Sequence, residues 1–139
     1  MSDCVFCNIV EGVIPSTKVH EDGLTLAFMD IGQVNPGHVL VMVKPHVENI
    51  FGLDDGLAGA VFQTAARVAR ALQKAYSPEG VTLYQANGAA AGQTVYHFHL
   101  HLVPRYEKDG MQLTWPVKNP PREQLEANAE KIRSALIDG

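Results

Sequence analysis

The chain has 139 residues, of which 46% are hydrophobic and 19% charged, a composition typical of a globular protein rather than a disordered or fibrous one. Its formal net charge of −4 offers no basic surface to nucleic acid or to an anionic membrane, although local donors can still bind a small anion. The N-terminus has no secretory signal pattern and the longest apolar run, at 39–43, is too short to span a bilayer, so we expect a cytoplasmic protein.

The first third of the chain predicts a short helix followed by a hairpin. Residues 4–11, CVFCNIVE, are typical of a short helical turn. The segments 24–30 and 38–43 are rich in Val, Leu and Phe, as strands are. Between them, NPG at 35–37 joins the fixed φ of proline to the freedom of glycine, as turns do. The two strands should therefore form a β-hairpin.

The middle of the chain predicts a long helix and a third strand. Over residues 54–76 the apolar positions keep helical spacing, basic residues occupy the other face, and Asp54 or Asp55 can cap the first turn. Residues 81–87, VTLYQAN, predict a strand, and the small-residue loop GAAAGQT follows at 88–94. The apolar face of the helix comprises Leu57, Ala58, Val61, Phe62, Ala65, Val68, Ala69 and Leu72.

The last third predicts an alternating strand and a terminal helix. In the strand, 95–103, Phe98, Leu100 and Leu102 share one face. In the helix, 121–137, an inner stripe is expected from Leu125, Ala129, Ile132 and Leu136. No repeat or long linker divides the chain, so we expect a single domain over residues 1–139. Strands interrupted by one long helix and closed by another indicate an α+β fold with an antiparallel sheet.

Three histidines, His97, His99 and His101, alternate on the other face of that predicted strand. Alternate residues lie about 6.6 Å apart on one face, so three imidazoles can address one bound group. Three histidines on one face of a strand suit either of two kinds of site, a metal centre or a phosphate-reacting site. In a metal centre the neutral imidazoles are ligands. In acid–base and nucleophilic chemistry on a phosphate, one imidazole attacks phosphorus while its neighbours bind the anion and handle protons.

The loop before the strand favours phosphate chemistry. Its small residues let backbone N–H groups approach phosphate oxygens, and Gln93 and Thr94 add side-chain donors. No cluster of carboxylates lies nearby in the sequence to complete a hydrolytic metal site. The Cys4-x-x-Cys7 pair is a weak signal alone, since it is either incidental or, in a reducing compartment, metal-binding or redox-active.

The segment AGQTVYHFHLHLVPR resembles the signature of the histidine triad (HIT) family, His-φ-His-φ-His-φ-φ, in which φ is hydrophobic. The N-terminal half is similar to the same family, through FMDI at 28–31, PGH at 36–38 and KPH at 44–46. The resemblance covers nearly the whole chain, over about residues 4–117, and the predicted terminal helix at 121–137 follows it. It implies a five-stranded antiparallel sheet with one long helix and a C-terminal helix, which continues as a ten-stranded sheet across a homodimer.

The resemblance also implies roles for individual residues. His99 would be the nucleophile that forms a covalent nucleotidyl-histidine on the α-phosphate, and His101 would stabilise the phosphate in the transition state. Asp30 would bind the ribose hydroxyls. The residues that bind the phosphate would include Asn87, Gly92, Gln93 and Thr94. The apolar pocket for the base would be formed by Phe6, Ile9, Phe28 and Ile31.

A zinc-containing branch of the family implies a metal site and further contacts. Its ligand positions correspond to Cys4, Cys7, His46 and His97, a closed tetrahedral set that would be structural. His38 can lie near the triad, but we favour a packed structural role for it. In the homodimer, the long helix and a neighbouring strand would form the interface. Trp115, in the 104–117 segment, would lie where some branches place a tryptophan near the partner's site.

The leading functional hypothesis is hydrolysis of adenosine or purine nucleoside phosphoramidates with release of AMP. Hydrolysis of the diadenosine polyphosphates Ap3A and Ap4A is the alternative, because the motifs do not separate the two. A second alternative is a nucleotide-binding or scaffold protein without catalysis. The physiological leaving group is not encoded in the motifs.

Overall fold

The computed structural model describes residues 2–136 and contains one antiparallel sheet of five strands with helices against both faces. The strands lie in the spatial order β1, β2, β3, β5, β4, so that β1 and β4 form its edges. The predicted α+β fold with five antiparallel strands is confirmed. The elements are α1 (Val5–Val10), β1 (Lys18–Glu21), β2 (Thr25–Met29), β3 (Val39–Val43), α2 (Asp55–Tyr76), β4 (Gly80–Tyr84), β5 (His99–Arg105) and α3 (Arg122–Ala135), with short 3₁₀ turns at Ile50–Gly52 and Ala89–Ala91.

The predicted hairpin is formed by β2 and β3, whose register runs from Thr25 opposite Val43 to Met29 opposite Val39. All five residues of β3 are buried, because side chains on both of its faces meet a helix. Val39, Val41 and Val43 pack with α2, whereas Leu40 and Met42 pack with α1. The two-residue period of a strand thus divides the core into two layers.

The long helix α2 covers one face of the sheet. Asp54 caps it, since its side chain accepts a hydrogen bond of 2.8 Å from the backbone N–H of Leu57. Its buried residues pack with Phe98, Leu100 and Leu102, as the alternating pattern predicted. Phe62, assigned above to the apolar face, is instead 60% exposed.

The strand predicted at 95–103 begins only at His99 and runs on to Arg105. The backbone N–H of Phe98 donates to the carbonyl of Val47, in the loop after β3, at 2.7 Å. Phe98 is therefore bonded to that loop and not to a neighbouring strand, and the prediction that all three histidines share one strand was wrong for His97. Another difference is β1, which was missed because its four residues are mostly exposed and carry no apolar alternation.

The terminal helix α3 was predicted correctly in place, but its inner stripe was not. No residue of α3 is buried, and Leu125, Ile132 and Leu136 are more than half exposed. Residues 112–121 form no regular element and separate α3 from the sheet, and within them Trp115 is 72% exposed. Residue 137, the last of the predicted helix, lies outside the described residues. Among residues 2–136, no helix combines the length and the apolar character that crossing a bilayer requires.

Candidate functional site

Two thiols and two imidazoles meet beside α1. The Nδ1 of His97 lies 3.4 Å from the Sγ of Cys4 and 3.6 Å from that of Cys7. The Nδ1 of His46 lies 3.3 Å from the same Cys7 Sγ, and all four donor atoms fall within 4.8 Å of one another. Ligands of a tetrahedral zinc are separated by roughly 3.3–3.8 Å. The four residues therefore have the chemistry and the spacing of a closed Cys₂His₂ site.

Secondary structure brings these four ligands together. Cys4 is the N-cap of α1, with its Sγ accepting from the backbone N–H of Cys7 at 3.3 Å. His97 is fully buried, and its Nε2 donates to the carbonyl of Val43, the last residue of β3, at 2.6 Å. Because that carbonyl can only accept, it places the ring proton on Nε2 and leaves the Nδ1 lone pair facing the thiols.

His99 presents the opposite nitrogen. Its Nδ1 donates to the carbonyl of His97 at 2.6 Å, so the ring proton is on Nδ1 and the lone pair is on Nε2. The ring packs edge-on against Phe6, with 4.9 Å between the centroids. Burial lowers the pKa of His99 below its usual value, against the opposing effects of its backbone hydrogen bond and of Asp30. A neutral imidazole with a fixed free nitrogen is a nucleophile at neutral pH.

His101 is held by a chain of hydrogen bonds through His38. The backbone N–H of Val34 donates to the Nδ1 of His38 at 3.2 Å, which places the proton of this buried ring on Nε2. That Nε2 donates to the Nδ1 of His101 at 2.9 Å. Asp30 lies beside the pair, with its Oδ2 3.4 Å from the Nε2 of His38. The chain assigns the proton of His101 to its Nε2, where it is free to donate.

The surroundings keep His101 and His38 neutral. Burial, together with the neighbouring His99 and His38, lowers the pKa of His101 to about 4, against the attraction of Asp30. Burial also lowers the pKa of His38, again opposed by Asp30. Both rings therefore act as neutral hydrogen-bonding groups at physiological pH.

The two histidines of β5 open into a cavity of about 610 Å³. One end carries His99, His101 and Asp30, and the other is apolar. The predicted base-pocket residues all line it: Phe6, Ile9, Phe28 and the exposed Ile31. Thr94 also lines it, so the structure brings these predicted site residues together around one space.

Three of the predicted phosphate-side residues do not line this cavity: Asn87, Gly92 and Gln93. The amide of Gln93 is buried, accepting from the N–H of Gly88 at 2.7 Å and donating to the carbonyl of Glu48 at 2.6 Å. Asn87 accepts from the N–H of Ile50 at 2.8 Å and pairs with Gln85. Gly92 has φ +93°, which favours glycine. In this arrangement these three residues shape the loop that leads to Thr94.

A family model described as HIT domain matches residues 11–108. The chain belongs to the HIT domain family. "Protein hit" of Bacillus subtilis is 46% identical to it over 114 residues, which cover 81% of this chain and 79% of the relative. "Adenosine 5'-monophosphoramidase hnt1" of Schizosaccharomyces pombe is 35% identical over 134 residues, 96% and 98% of the two chains.

Solved HIT structures agree with the fold. A HIT family protein from Bacillus anthracis superimposes with a TM-score of 0.93 at 40% identity, over 97% of this chain and 98% of that one. A zinc-bound histidine triad family protein from Mycobacterium smegmatis superimposes with a TM-score of 0.75 at 33% identity, over 96% and 97%. The family assignment drawn from the motifs is thus confirmed.

The sequence did not predict that His38 contacts His101. His38 is packed and hydrogen-bonded, as favoured, but its partner is the third histidine of the triad. A signal was available in the pairing of β3 with β5, where Leu40 lies opposite His101. Since His38 precedes Leu40 by two residues, it shares the face on which His101 lies. That register could be read only once the two strands were known to be neighbours.

Proposed function

We propose that this protein hydrolyses purine nucleoside phosphoramidates, releasing AMP through a covalent nucleotidyl-His99 intermediate. One observation carries the proposal: the carbonyl of His97 holds the Nδ1 proton of His99 at 2.6 Å, and this ring lines the cavity with its Nε2 free. A surface histidine has neither a fixed tautomer nor such a cavity. The name of the fission-yeast relative, an adenosine 5'-monophosphoramidase, supports the same substrate class.

In the first step the Nε2 lone pair of His99 attacks the α-phosphorus. A P–N bond to His99 forms, the P–N bond to the leaving amine breaks, and the amine takes up a proton from solvent. The modified ring becomes a cation whose Nδ1–H remains bonded to the carbonyl of His97. This charge-assisted hydrogen bond is stronger than the neutral one it replaces, so it favours the intermediate.

In the second step water attacks the same phosphorus. The P–Nε2 bond breaks, the water loses a proton, and AMP leaves with His99 restored to its neutral tautomer. In both steps the Nε2–H of His101 donates to the phosphate oxygens, whose negative charge becomes more concentrated in the transition state. The fixed orientation of this donor, set by His38, means that no reorganisation is needed when the charge develops.

The cavity suits a nucleoside next to that phosphate. Asp30 offers Oδ2 to a ribose hydroxyl, while its Oδ1 is occupied by the N–H of Gly32 at 2.8 Å. The apolar end, with Phe6, Ile9 and Phe28, offers a planar base the packing it needs. Thr94 is the last residue of the 88–94 loop and lines the cavity. Its hydroxyl can donate a hydrogen bond to the phosphate.

We also propose that Cys4, Cys7, His46 and His97 hold a structural zinc ion. When bound, the ion would crosslink α1 to the loops after β3 and before β5 and take no part in the reaction. The donor distances described above support the proposal, as does the zinc-bound relative from Mycobacterium smegmatis. Ligation by two free thiols also fits the reducing, cytoplasmic compartment expected from the sequence.

The proposed homodimer would use α2 and β4. Phe62 of α2 is 60% exposed, and β4 is an edge strand whose outer side has no strand partner among residues 2–136. Exposed edges are usually paired or covered. Light scattering should then report twice the chain mass of 15.1 kDa, and a monomer at micromolar concentration would refute this part of the proposal.

The decisive experiment is His99→Ala with an adenosine phosphoramidate as substrate. AMP release should fall roughly 10⁴-fold or more, because the nucleophile is lost. The matched control is His20→Ala, which removes a β1 histidine that does not line the cavity and should keep full activity. Unchanged thermal midpoints in both variants show that they fold.

Turnover by His99→Ala equal to that of the wild type would refute the mechanism. Measuring kcat/KM of the wild type on Ap3A and Ap4A in the same assay separates the substrate classes. A higher value on either dinucleotide would move the assignment to dinucleoside polyphosphate hydrolysis. Tight AMP binding without turnover of any of these substrates would identify a binding protein.

A further inference from the structure

One hydroxyl in the wall of the cavity has no partner. The Oγ of Ser16 is buried and makes no hydrogen bond, and among residues 2–136 it is alone in this respect among buried side-chain nitrogen and oxygen atoms. Ser16 itself lines the cavity described above. Buried polar groups are nearly always paired, so an unpaired one requires an explanation.

The backbone places Ser16 between the two ends of the cavity. Two residues before it, the N–H of Ile14 donates to the carbonyl of Asn8 in α1 at 3.1 Å. One residue after it, the carbonyl of Thr17 accepts from the N–H of Met29 at 2.8 Å, and Met29 directly precedes Asp30. Ser16 therefore bridges the apolar end, formed partly by α1, and the end that carries Asp30.

The apolar side chains of the cavity offer no hydrogen bonds of their own. Phe6, Ile9, Phe28 and Leu40 have no polar side-chain atom, yet every nucleobase carries nitrogen or oxygen acceptors along its edge. Rotation about the single χ1 bond of serine moves its hydroxyl between staggered positions without moving the backbone. A ligand that presents an acceptor to Ser16 would therefore satisfy a group that is unsatisfied in the free protein, which strengthens binding.

We propose that the Ser16 hydroxyl donates a hydrogen bond to the base of the bound nucleotide, at the ring nitrogen nearest the ribose, N3 of a purine. This inference rests on the proposed function, because it assumes that the base fills the apolar end and that Asp30 meets the ribose. The position of Ser16 between those ends selects the ribose-side edge of the base over its far edge. Ser16 is thus a specificity-determining residue for the nucleotide.

The test compares Ser16→Ala with the wild type, using AMP and 3-deaza-AMP, in which a C–H replaces N3. By calorimetry, the wild type should bind AMP roughly three- to tenfold more tightly than 3-deaza-AMP. Ser16→Ala should bind both with the same weakened affinity, while retaining a thermal midpoint equal to or above that of the wild type. The matched control is Ser134→Ala, which removes an exposed hydroxyl of α3 and should behave as the wild type.

Several outcomes would overturn the inference. If Ser16→Ala discriminates between the two nucleotides as well as the wild type does, the hydroxyl does not contact N3. If the wild type binds both equally but loses affinity for 2'-deoxy-AMP, and Ser16→Ala abolishes that preference, the hydroxyl contacts the ribose instead. Ser16→Cys, close in size but a weak donor, repeats the test if Ser16→Ala fails to fold. A wild type that binds no AMP at all would refute the proposed function as well.

Discussion

His97 and His99 are two residues apart, yet the structure gives them opposite environments. His97 is fully buried, and its Nδ1 faces two thiols. His99 lines an open cavity, and its free nitrogen is Nε2. In each case the other ring nitrogen is held by a backbone carbonyl at 2.6 Å, that of Val43 for His97 and that of His97 for His99.

The backbone thus selects which nitrogen each imidazole leaves free. A carbonyl bound to Nε2 leaves Nδ1 for a metal, and a carbonyl bound to Nδ1 leaves Nε2 for phosphorus. The two roles are also linked, because the carbonyl that orients His99 belongs to the proposed metal ligand. The two roles should nevertheless be separable by experiment. Loss of the metal should reduce the free energy of unfolding, whereas loss of the His99 ring should reduce turnover alone.

The largest expected effect on stability comes from breaking the cluster of Cys4, Cys7, His46 and His97. Cys7→Ser should reduce bound zinc from one ion per chain to none and lower the thermal midpoint. An ion present at a thousand times its dissociation constant contributes about 4 kcal/mol to stability, which corresponds to roughly 14 °C for a chain of this size. Metal analysis and thermal unfolding measure the two effects, and a chelator should reproduce both in the wild type.

His99→Ala is the matched control for this prediction. It removes an imidazole two residues from His97 but should keep both the metal and the thermal midpoint, since the ring of His99 is not a ligand. The division of roles would be refuted if the wild type contained no zinc. It would also be refuted if both variants lost the same stability.

Much of this arrangement was predictable because it follows from local patterns. The alternation that packs Leu100 and Leu102 in the core depends only on the two-residue period of strands. The β2–β3 hairpin follows from two apolar runs around a Pro-Gly turn. The proposed metal ligands and the proposed nucleophile were assigned by matching family motifs, position by position, and they stay predictions until the variants above are measured.

What escaped prediction depends on contacts between distant segments. His97 lies outside β5 because Phe98 bonds to Val47, fifty-one positions earlier in the chain. No pattern around Ser16 signals that its hydroxyl lacks a partner, since that depends on everything packed around it. The stripe of α3 was expected to be buried from its periodicity, but periodicity identifies an apolar face without identifying what covers it.

A smaller effect, on turnover, is expected from replacing His38. The Nε2–H of His38 fixes the tautomer of His101, as the carbonyl of His97 fixes that of His99. His38→Phe removes the Nε2–H donor, so that the proton of His101 is no longer confined to Nε2. We expect kcat to fall roughly 10- to 100-fold with little change in KM, because the phosphate is stabilised mainly in the transition state. His38→Gln keeps one donor and one acceptor and should restore much of the loss.

Nitrogen-15 NMR distinguishes positioning from packing. In the wild type, the ring of His101 should show its proton on Nε2, and in His38→Phe it should show a mixture of the two tautomers. Equal losses in His38→Phe and His38→Gln, with the His101 tautomer unchanged in both, would make His38 merely structural.

The smallest expected effect is the response to pH, which tests whether the cavity histidines are as neutral as their environment indicates. Burial lowers the pKa of His99, and that of His101 falls to about 4. A lowered pKa means that the neutral form persists as the pH falls, until the folded-state pKa is reached. The value of kcat/KM should therefore stay constant from pH 8 to below pH 6 and decline only at more acidic pH. An exposed histidine would already be half protonated near its usual pKa of about 6.5.

Because phosphoramidates also hydrolyse spontaneously in acid, the rate with His99→Ala is subtracted at each pH. An acid limb centred near pH 6.5 would show that the imidazoles are solvated in the working enzyme and would contradict this account. His38→Gln sharpens the test, because the neighbouring His38 is one cause of the low pKa of His101. In acid, where both rings can take up protons, their charges repel, and replacing His38 with an amide that stays neutral removes that repulsion. If His101 contributes to the acid limb, the limb should then move to higher pH, whereas a limb set by His99 alone should remain where it is.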